Sequence, residues 1–314
     1  MDSVTGFFEH GERKDILRVA EKLIAERIEC VCDVSLKKYS TFRIGGPCDL
    51  AVFPKNKKEL SRTIDLLRND NVRFNVIGCG SNVLFDDGGY RGCLVFMLQM
   101  RQMRAKGNCI CACAGANLTA VSVKAARRGL SGLEFACGIP GSCGGAVCMN
   151  AGAYGGEISD VLEYSEYYDV DKKEFFILKN SEHGFSYRNS IYIAQKNMIV
   201  TEVGFRLVPD CPETIRSRMD ENTLKRKMSQ PHEYPNAGSI FKRPVVGFAA
   251  KMIDECGLKG VAVGGAQISE KHAGFIVNKG NATSSDVKAL ISIIKEKVFE
   301  RFDVELECEI HLVK

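Results

Sequence analysis

From Gly138 to Gly155 the chain reads Gly-Ile-Pro-Gly-Ser-Cys-Gly-Gly-Ala-Val-Cys-Met-Asn-Ala-Gly-Ala-Tyr-Gly, so that six of eighteen positions are glycine and three are alanine. A run with so little side chain cannot build a core. It can press bare backbone against something flat or anionic, because glycine tolerates φ > 0 and close approach. A second such run, Gly78-Cys79-Gly80-Ser81-Asn82, follows the apolar, strand-like 74–77. Two amide-rich loops in one chain point to a large ligand with a pyrophosphate at its middle.

The 314 residues allow two or three domains with ample core. A net charge of +4 is too weak to argue for nucleic acid, but it suits an anionic small substrate. No window approaches the ~18 apolar residues of a membrane span. The start, Met1 to Phe7, carries no signal-peptide pattern. Fourteen cysteines without a Cys-x-x-Cys pair, beside only five histidines, argue against zinc. The cysteines sit in strand-like runs (Cys109, Cys111, Cys113) or helices (Cys30, Cys256), as small apolar residues do. Free thiols in a reducing cytoplasm, and no metal, are the expectation.

Hydrophobic spacing predicts helices over 12–29 (Ile16, Val19, Ala20, Leu23 and Ile24 inward), 57–69 with Asn56 as N-cap, 117–128 closed by Gly129, 213–228 and 285–301. Strands are predicted at 50–53, 73–77, 93–98, 109–114, 161–170, 174–178, 198–208, 274–277 and 304–313, with a hairpin at Asp171-Lys172-Lys173. The first two strands and the helix between them read as a βαβ unit. Its Gly78 loop lies at a strand's carboxyl end, where α/β sheets bind ligands. Pro209 to Pro212 marks a domain boundary.

Several shorter segments carry candidate chemistry. Tyr39-Ser40-Thr41-Phe42-Arg43 sets an aromatic, hydroxyls and a guanidinium before the Gly45-Gly46 turn. Arg188, in Phe185-Ser186-Tyr187-Arg188-Asn189-Ser190, offers a planar fork matched to a carboxylate; a solvated loop charge is the alternative. Asn236-Ala237-Gly238-Ser239-Ile240-Phe241-Lys242 has Ser-x-x-Lys spacing without helical context, which favours a donor serine over a nucleophile. Glu305, Glu307 and Glu309 alternate along the last predicted strand and would share one face; a carboxylate facing a cleft would hold its proton nearer neutral pH. The basic cluster of Arg216, Arg218, Lys225, Arg226 and Lys227 could meet a diphosphate or simply be solvated. His272, with Gln267 and Asn278, reads as structural.

Taken in order, Gly-Cys-Gly-Ser-Asn-Val-Leu at 78–84, Gly-Ile-Pro-Gly-Ser-x-Gly-Gly-Ala at 138–146, Met-Asn-Ala-Gly-Ala-Tyr-Gly at 149–155, Tyr-Arg-Asn-Ser at 187–190, Asn-Ala-Gly-Ser-x-Phe-Lys at 236–242 and Glu-x-Glu-Ile at 307–310 resemble the UDP-N-acetylenolpyruvoylglucosamine reductase family, from about residue 34 to the end. That family makes UDP-N-acetylmuramate for bacterial peptidoglycan. The resemblance implies an α+β fold: an FAD-binding fold of the PCMH/VAO type, made of two α+β subdomains (34–105 and 106–210 after an N-terminal helical segment, 1–33), and a C-terminal α+β substrate-binding domain (211–314). It implies noncovalent FAD held by Tyr39, Thr41, Arg43, Gly78, Cys79, Gly80, Ser81, Asn82, Gly115, Gly138, Ile139, Pro140, Ser142, Gly144 and Gly145, with NADPH as hydride donor. By the same resemblance Ser239 is the proton donor, Arg188 grips the substrate carboxylate and Glu309, protonated, donates a hydrogen bond to it. Tyr187, Asn236, Lys242 and Gln267 would hold a UDP-sugar, and the protein would be a cytoplasmic monomer with no nucleic-acid or membrane partner.

Only Ile191 to Asn197 separate the arginine motif from the next strand, so the chain resembles the short type, without the longer tyrosine-bearing insertion. Cys79, Cys143 and Cys148 stand where small or apolar residues are usual. The competing expectations are a flavin-linked oxidase of another small substrate and a flavin- or UDP-sugar-binding protein without turnover.

Overall fold

The computed structural model describes residues 13–314; the reading of the first residues as lacking a signal peptide lies outside the described residues. The helix Arg13–Ala25 buries Ile16, Val19, Ala20 and Leu23 but leaves Ile24 exposed. Cys30, expected in that helix, instead opens the strand Cys30–Ser35.

The first sheet has the order Cys30–Ser35, Pro47–Val52, Tyr90–Phe96, Phe74–Ile77. Its leading pair is antiparallel, and Pro47–Val52 and Phe74–Ile77 both run parallel to Tyr90–Phe96. That strand is buried at six of its seven positions, as expected of a central parallel strand covered on both faces. The helix Lys57–Asn69 links Pro47–Val52 to Phe74–Ile77 and turns Leu60, Ile64 and Leu67 onto the core. Asn56 caps it, its side chain accepting from the Glu59 N–H at 3.0 Å. The predicted βαβ unit therefore holds, with Tyr90–Phe96 inserted between its two strands.

The second sheet is antiparallel, in the order Glu174–Lys179, Leu162–Asp169, Met198–Arg206, Cys109–Cys113, Met103–Lys106. Leu118–Arg127, capped by Asn117, packs against it, and Cys143–Cys148 forms a short helix within the glycine-rich run. One apolar cluster joins this sheet to the helices beside the first sheet, with Leu60, Ile64, Val95, Ile110, Val121 and Phe205 among its members.

A second core lies in the C-terminal part. Asn236–Ser239, Phe275–Asn278, Ala266–Ile268 and Ala262–Val263 form a sheet covered by Ala249–Glu255 and Ser284–Phe302. Phe42, Ile44 and Leu84 from the N-terminal part are buried in this core, so the Thr41–Arg43 corner is anchored to it.

The predicted last strand is a correction. Only His311–Val313 joins a ladder, running parallel to Val83–Phe85. Residues 307–309 pair elsewhere: Lys242 N–H donates to Glu307 O at 2.9 Å and Glu309 N–H to Ile240 O at 2.8 Å, around a single bridge between Phe241 and Cys308. The segment changes partner near Ile310, so one flat strand from 304 is not formed and Glu305 is left exposed outside any ladder.

Gly115 illustrates how tightly these layers approach. A Cβ there would lie 1.7 Å from the Met97 carbonyl oxygen and 2.9 Å from that of Met100. Gly115→Ala is therefore expected to cost about 1–3 kcal/mol by overpacking against backbone. The denaturant midpoint of flavin-free protein checks this; an unchanged midpoint would show that the backbone here yields freely.

Candidate active site

A cavity of about 1800 Å³ opens where the two parts meet. Single-ligand pockets usually run to ~300–1,000 Å³, so this space fits a dinucleotide-sized molecule and a second ligand beside it. Its lining draws on both glycine runs, on the corner at Thr41 and Arg43, and on Arg188, Arg226, Asn236, Ser239, Lys242 and Glu309.

The two glycine runs touch each other. A Cβ at Gly78 would lie 2.2 Å from Ser142 Oγ, so a side chain there would force Ser142 to turn away from the first run. Among the described residues, the backbone N–H groups of Gly78, Cys79, Gly80 and Ser81 meet no acceptor within the chain. The second run behaves differently. The N–H groups of Cys143, Gly144 and Gly145 already donate to Ala116 O, Ala114 O and Ser142 Oγ. The first run thus offers amides to an anion, while much of the second forms a side-chain-poor wall.

Ser239 reaches the cavity through an irregularity in its strand. Asn236 pairs with Val277 and Ser239 with Phe275, so two intervening residues, Ala237 and Gly238, face one, Ile276. Such a bulge re-aims the side chain that follows it. Asn236 stabilises the turn by accepting from Gly238 N–H at 3.0 Å, and its carbonyl accepts from Thr41 Oγ1 at 2.8 Å.

Arg188 Nε donates to Glu309 Oε1 at 2.7 Å, and its Nη2 to Gly152 O at 3.3 Å. Both side chains are largely buried, at 20% and 14% exposure. Burial raises the Glu309 carboxyl above the ordinary carboxylate range, outweighing the opposing pull of Arg188 and then Lys242. Lys242 pairs with Glu307 at 2.5 Å; because Glu307 is 72% exposed, that contact is weak and leaves the ammonium available to a ligand.

Arg226, on the helix Pro212–Ser229, is only 7% exposed. Its Nη1 donates to Gln230 Oε1 at 3.0 Å, its guanidinium lies 5.6 Å from the Tyr154 ring, and its buried Nε has no partner. Among the described residues no carboxylate pairs with it, and burial depresses its pKa. A buried, uncompensated cation lining a cavity is the mark of an anion receptor.

The thiols beside the cavity are inert. Burial raises Cys79, against a weaker hydrogen bond from Ser142, and pushes Cys148 up to about 12, so neither is a thiolate at neutral pH.

The structure gathers most of the sequence candidates around this one space: Thr41, Arg43, Gly78 to Asn82, Gly138, Ile139, Pro140, Ser142, Gly144, Gly145, Arg188, Asn236, Ser239, Lys242 and Glu309. Four lie outside its lining. Tyr39 packs on Phe53 and Phe96 at 5.3 and 4.7 Å. Gly115 is buried in backbone packing, and Gln267 donates to Gly260 O at 3.0 Å. Tyr187 lies outside with its hydroxyl accepting from Arg243 N–H. Among the lining residues that had not been singled out are two titratable groups, His311 and Lys196. His311 has its ring 3.2 Å from Met149 Sδ and its pKa lowered by burial and by Lys196 and Lys242. A period of two from Glu309 was the available signal. Lys196 follows the arginine motif with no sequence pattern to mark it.

The model of the FAD binding domain family matches residues 48–172, and that of the UDP-N-acetylenolpyruvoylglucosamine reductase C-terminal domain matches residues 230–313. The reductase of that name from Clostridium botulinum (strain Hall) is 45% identical over 281 residues, covering 90% of this chain and 91% of the relative. That of Clostridium beijerinckii is 43% identical over 303 residues, covering 96% and 98%. The crystal structure of UDP-N-acetylenolpyruvylglucosamine reductase from Thermus caldophilus superposes with a TM-score of 0.77 at 36% identity, covering 92% of this chain and 99% of that one. The chain belongs to the UDP-N-acetylenolpyruvoylglucosamine reductase family.

Proposed function

We propose that this chain reduces the enolpyruvyl double bond of UDP-N-acetylglucosamine enolpyruvate to give UDP-N-acetylmuramate, with FAD as resident cofactor and NADPH as reductant, in peptidoglycan synthesis. The observation that carries the reading is the convergence of Ser239, Arg188 and Glu309 on a cavity that two glycine runs close. An oxidase would need a base to take a proton from an alcohol; the convergent groups here are a serine hydroxyl, a guanidinium and a carboxyl held toward its neutral form, and the His311 imidazole is set against Met149 Sδ at 3.2 Å.

The residues present fit FAD. Gly78 to Ser81 offer N–H groups to a pyrophosphate, and Gly138 to Ser142 and Gly144 supply a wall against which a planar ring can lie. Cys79 is a protonated thiol, which suits noncovalent retention. When bound, FAD supplies the hydride, taken from NADPH and delivered to the terminal carbon of the enolpyruvyl double bond.

The protein's own groups manage the charge that results. As the C–H bond forms at the terminal carbon, the π electron pair moves onto the α-carbon and its carboxylate. Arg188 binds that carboxylate through its fork, and Glu309, in its protonated form, donates to it. Both are in place before charge develops, which is where preorganised donors contribute most. The Ser239 O–H bond then breaks and its proton moves to the α-carbon. A hydroxyl is a weak acid, but it suffices against a carbanion within hydrogen-bond reach. Arg226 and Lys242 are assigned to the diphosphate. In this reading residues 34–105 and 106–210 hold the cofactor and 211–314 the nucleotide sugar. Fourteen free thiols suit a reducing cytoplasm.

Ser239→Ala is expected to leave flavin reduction by NADPH intact while slowing flavin reoxidation by the enolpyruvyl substrate ~10²–10⁴-fold. Stopped-flow absorbance resolves the two; equal loss in both would remove Ser239 from proton donation. Because Glu309 acts protonated and its pKa is raised, substrate reduction should fall as pH rises through that value. Glu309→Gln, a permanent donor, should flatten this alkaline limb, and an unchanged limb would assign it to another group. Arg226→Met should weaken UDP binding ~10- to 100-fold, as loss of charged hydrogen bonds does, without altering FAD affinity; calorimetry with UDP and FAD in turn separates the two ligands.

A further inference from the structure

Arg188 has φ of +54°, in the left-handed region that costs a side-chain-bearing residue ~1–2 kcal/mol. Such a conformation persists only where its surroundings over-determine it. The segment around it is a loop with a closed neck. At its base, Ile191 N–H donates to His183 O at 2.8 Å, and at its tip Ser186 and Asn189 exchange backbone hydrogen bonds at 3.2 and 3.1 Å.

Beneath the neck lies a polar cluster that the chemistry above does not use. His183 is fully buried, its ring stacked on Phe185 at 4.7 Å and 4°. Its Nδ1 faces the carbonyl oxygens of Lys179 at 2.9 Å and Asn180 at 3.2 Å. Carbonyls only accept, so Nδ1 carries the proton. Burial lowers the His183 pKa, against those two carbonyls and Glu182, so the ring is neutral and Nε2 must accept. The group at Nε2 is the Ser165 hydroxyl, at 2.7 Å. That hydroxyl has then donated its one proton, so its oxygen accepts from Tyr192 O–H at 2.6 Å. The chain of donors therefore has one direction: Tyr192 to Ser165, Ser165 to His183, and His183 to the Lys179 carbonyl.

This chain spans the loop's two feet. His183 stands at one and Tyr192 at the other, and Ser165, on the strand Leu162–Asp169, holds both to the second sheet. Two further ties fix the loop to the glycine-rich run: Ser190 Oγ donates to Cys148 O at 2.8 Å, and Asn150 Nδ2 to Ser186 O at 3.3 Å. We propose that Ser165, His183 and Tyr192 form a buried clamp that positions Arg188, so that they govern substrate reduction without touching the substrate carboxylate. The inference rests on the role given to Arg188.

The test compares His183→Phe, which keeps an aromatic ring against Phe185 and removes both hydrogen bonds, with His183→Gln, whose amide can still accept from Ser165. In FAD-loaded, folded His183→Phe, reoxidation by the enolpyruvyl substrate should slow ~10- to 100-fold, as small displacements of a catalytic group do, while flavin reduction by NADPH stays within about twofold. His183→Gln should recover most of the loss. Should His183→Phe not fold, Tyr192→Phe, which deletes one hydroxyl, carries the same comparison. In an Arg188→Lys background His183→Phe should add little further loss, since it acts through a group already removed. Equal slowing of both half-reactions, or the same added loss in both backgrounds, overturns the clamp. Wild-type substrate reduction in Arg188→Lys alone overturns instead the role of Arg188 on which it stands.

Discussion

The C-terminal segment is the seam on which the site depends. Within seven residues it pairs first with 240–242 and then, in parallel, with Val83–Phe85. The first pairing ties it to the sheet that carries Ser239; the second ties it to the strand leaving the Gly78 loop. Glu309 sits between the two, and its position relative to both serine and loop is set by main-chain hydrogen bonds rather than by side-chain packing alone. Asn82 adds to this, its side chain donating to Glu309 O at 3.1 Å while its own carbonyl accepts from His311 N–H.

Around that seam the charge balance is uneven. Arg188, Arg226, Lys196 and Lys242 line the cavity, while Glu307 and Glu309 are the carboxylates of the C-terminal segment that face it. Glu307 is mostly in water, and Glu309 is held toward its neutral form by burial. A cavity with surplus cation and a buried guanidinium that no carboxylate pairs with among the described residues is stabilised when an anion enters. The nucleotide diphosphate, the substrate carboxylate and the charge that develops on it all have the required sign.

Much of this was legible before folding was considered. The helix at 57–69 and its Asn56 cap follow from apolar spacing and an N-terminal acceptor, both local properties. Arg188, Ser239 and Glu309 were named because six motifs occur in order. Where the structure goes beyond what the sequence carries, partners distant in sequence decided. Alternation at 304–313 looks like one strand, but a strand needs a continuous neighbour, and here the neighbour changes near Ile310. Gln267, in a polar stretch, is taken up by Gly260 O. Gly144 belongs to a glycine motif, yet its N–H is committed to Ala114 O, which no local pattern reveals.

The amino-acid order by itself determined the local elements and the two side-chain-poor loops, because propensity, periodicity and glycine content act over a few residues, and its ordered motifs named the candidate groups. The tertiary structure alone decided which groups share a cavity, which amides stay unpaired, that Arg226 is buried without a carboxylate, and that Ser165, His183 and Tyr192 stand under the loop of Arg188. Those properties are set by burial and by hydrogen bonds between segments far apart in the chain, and neither exists until the layers pack.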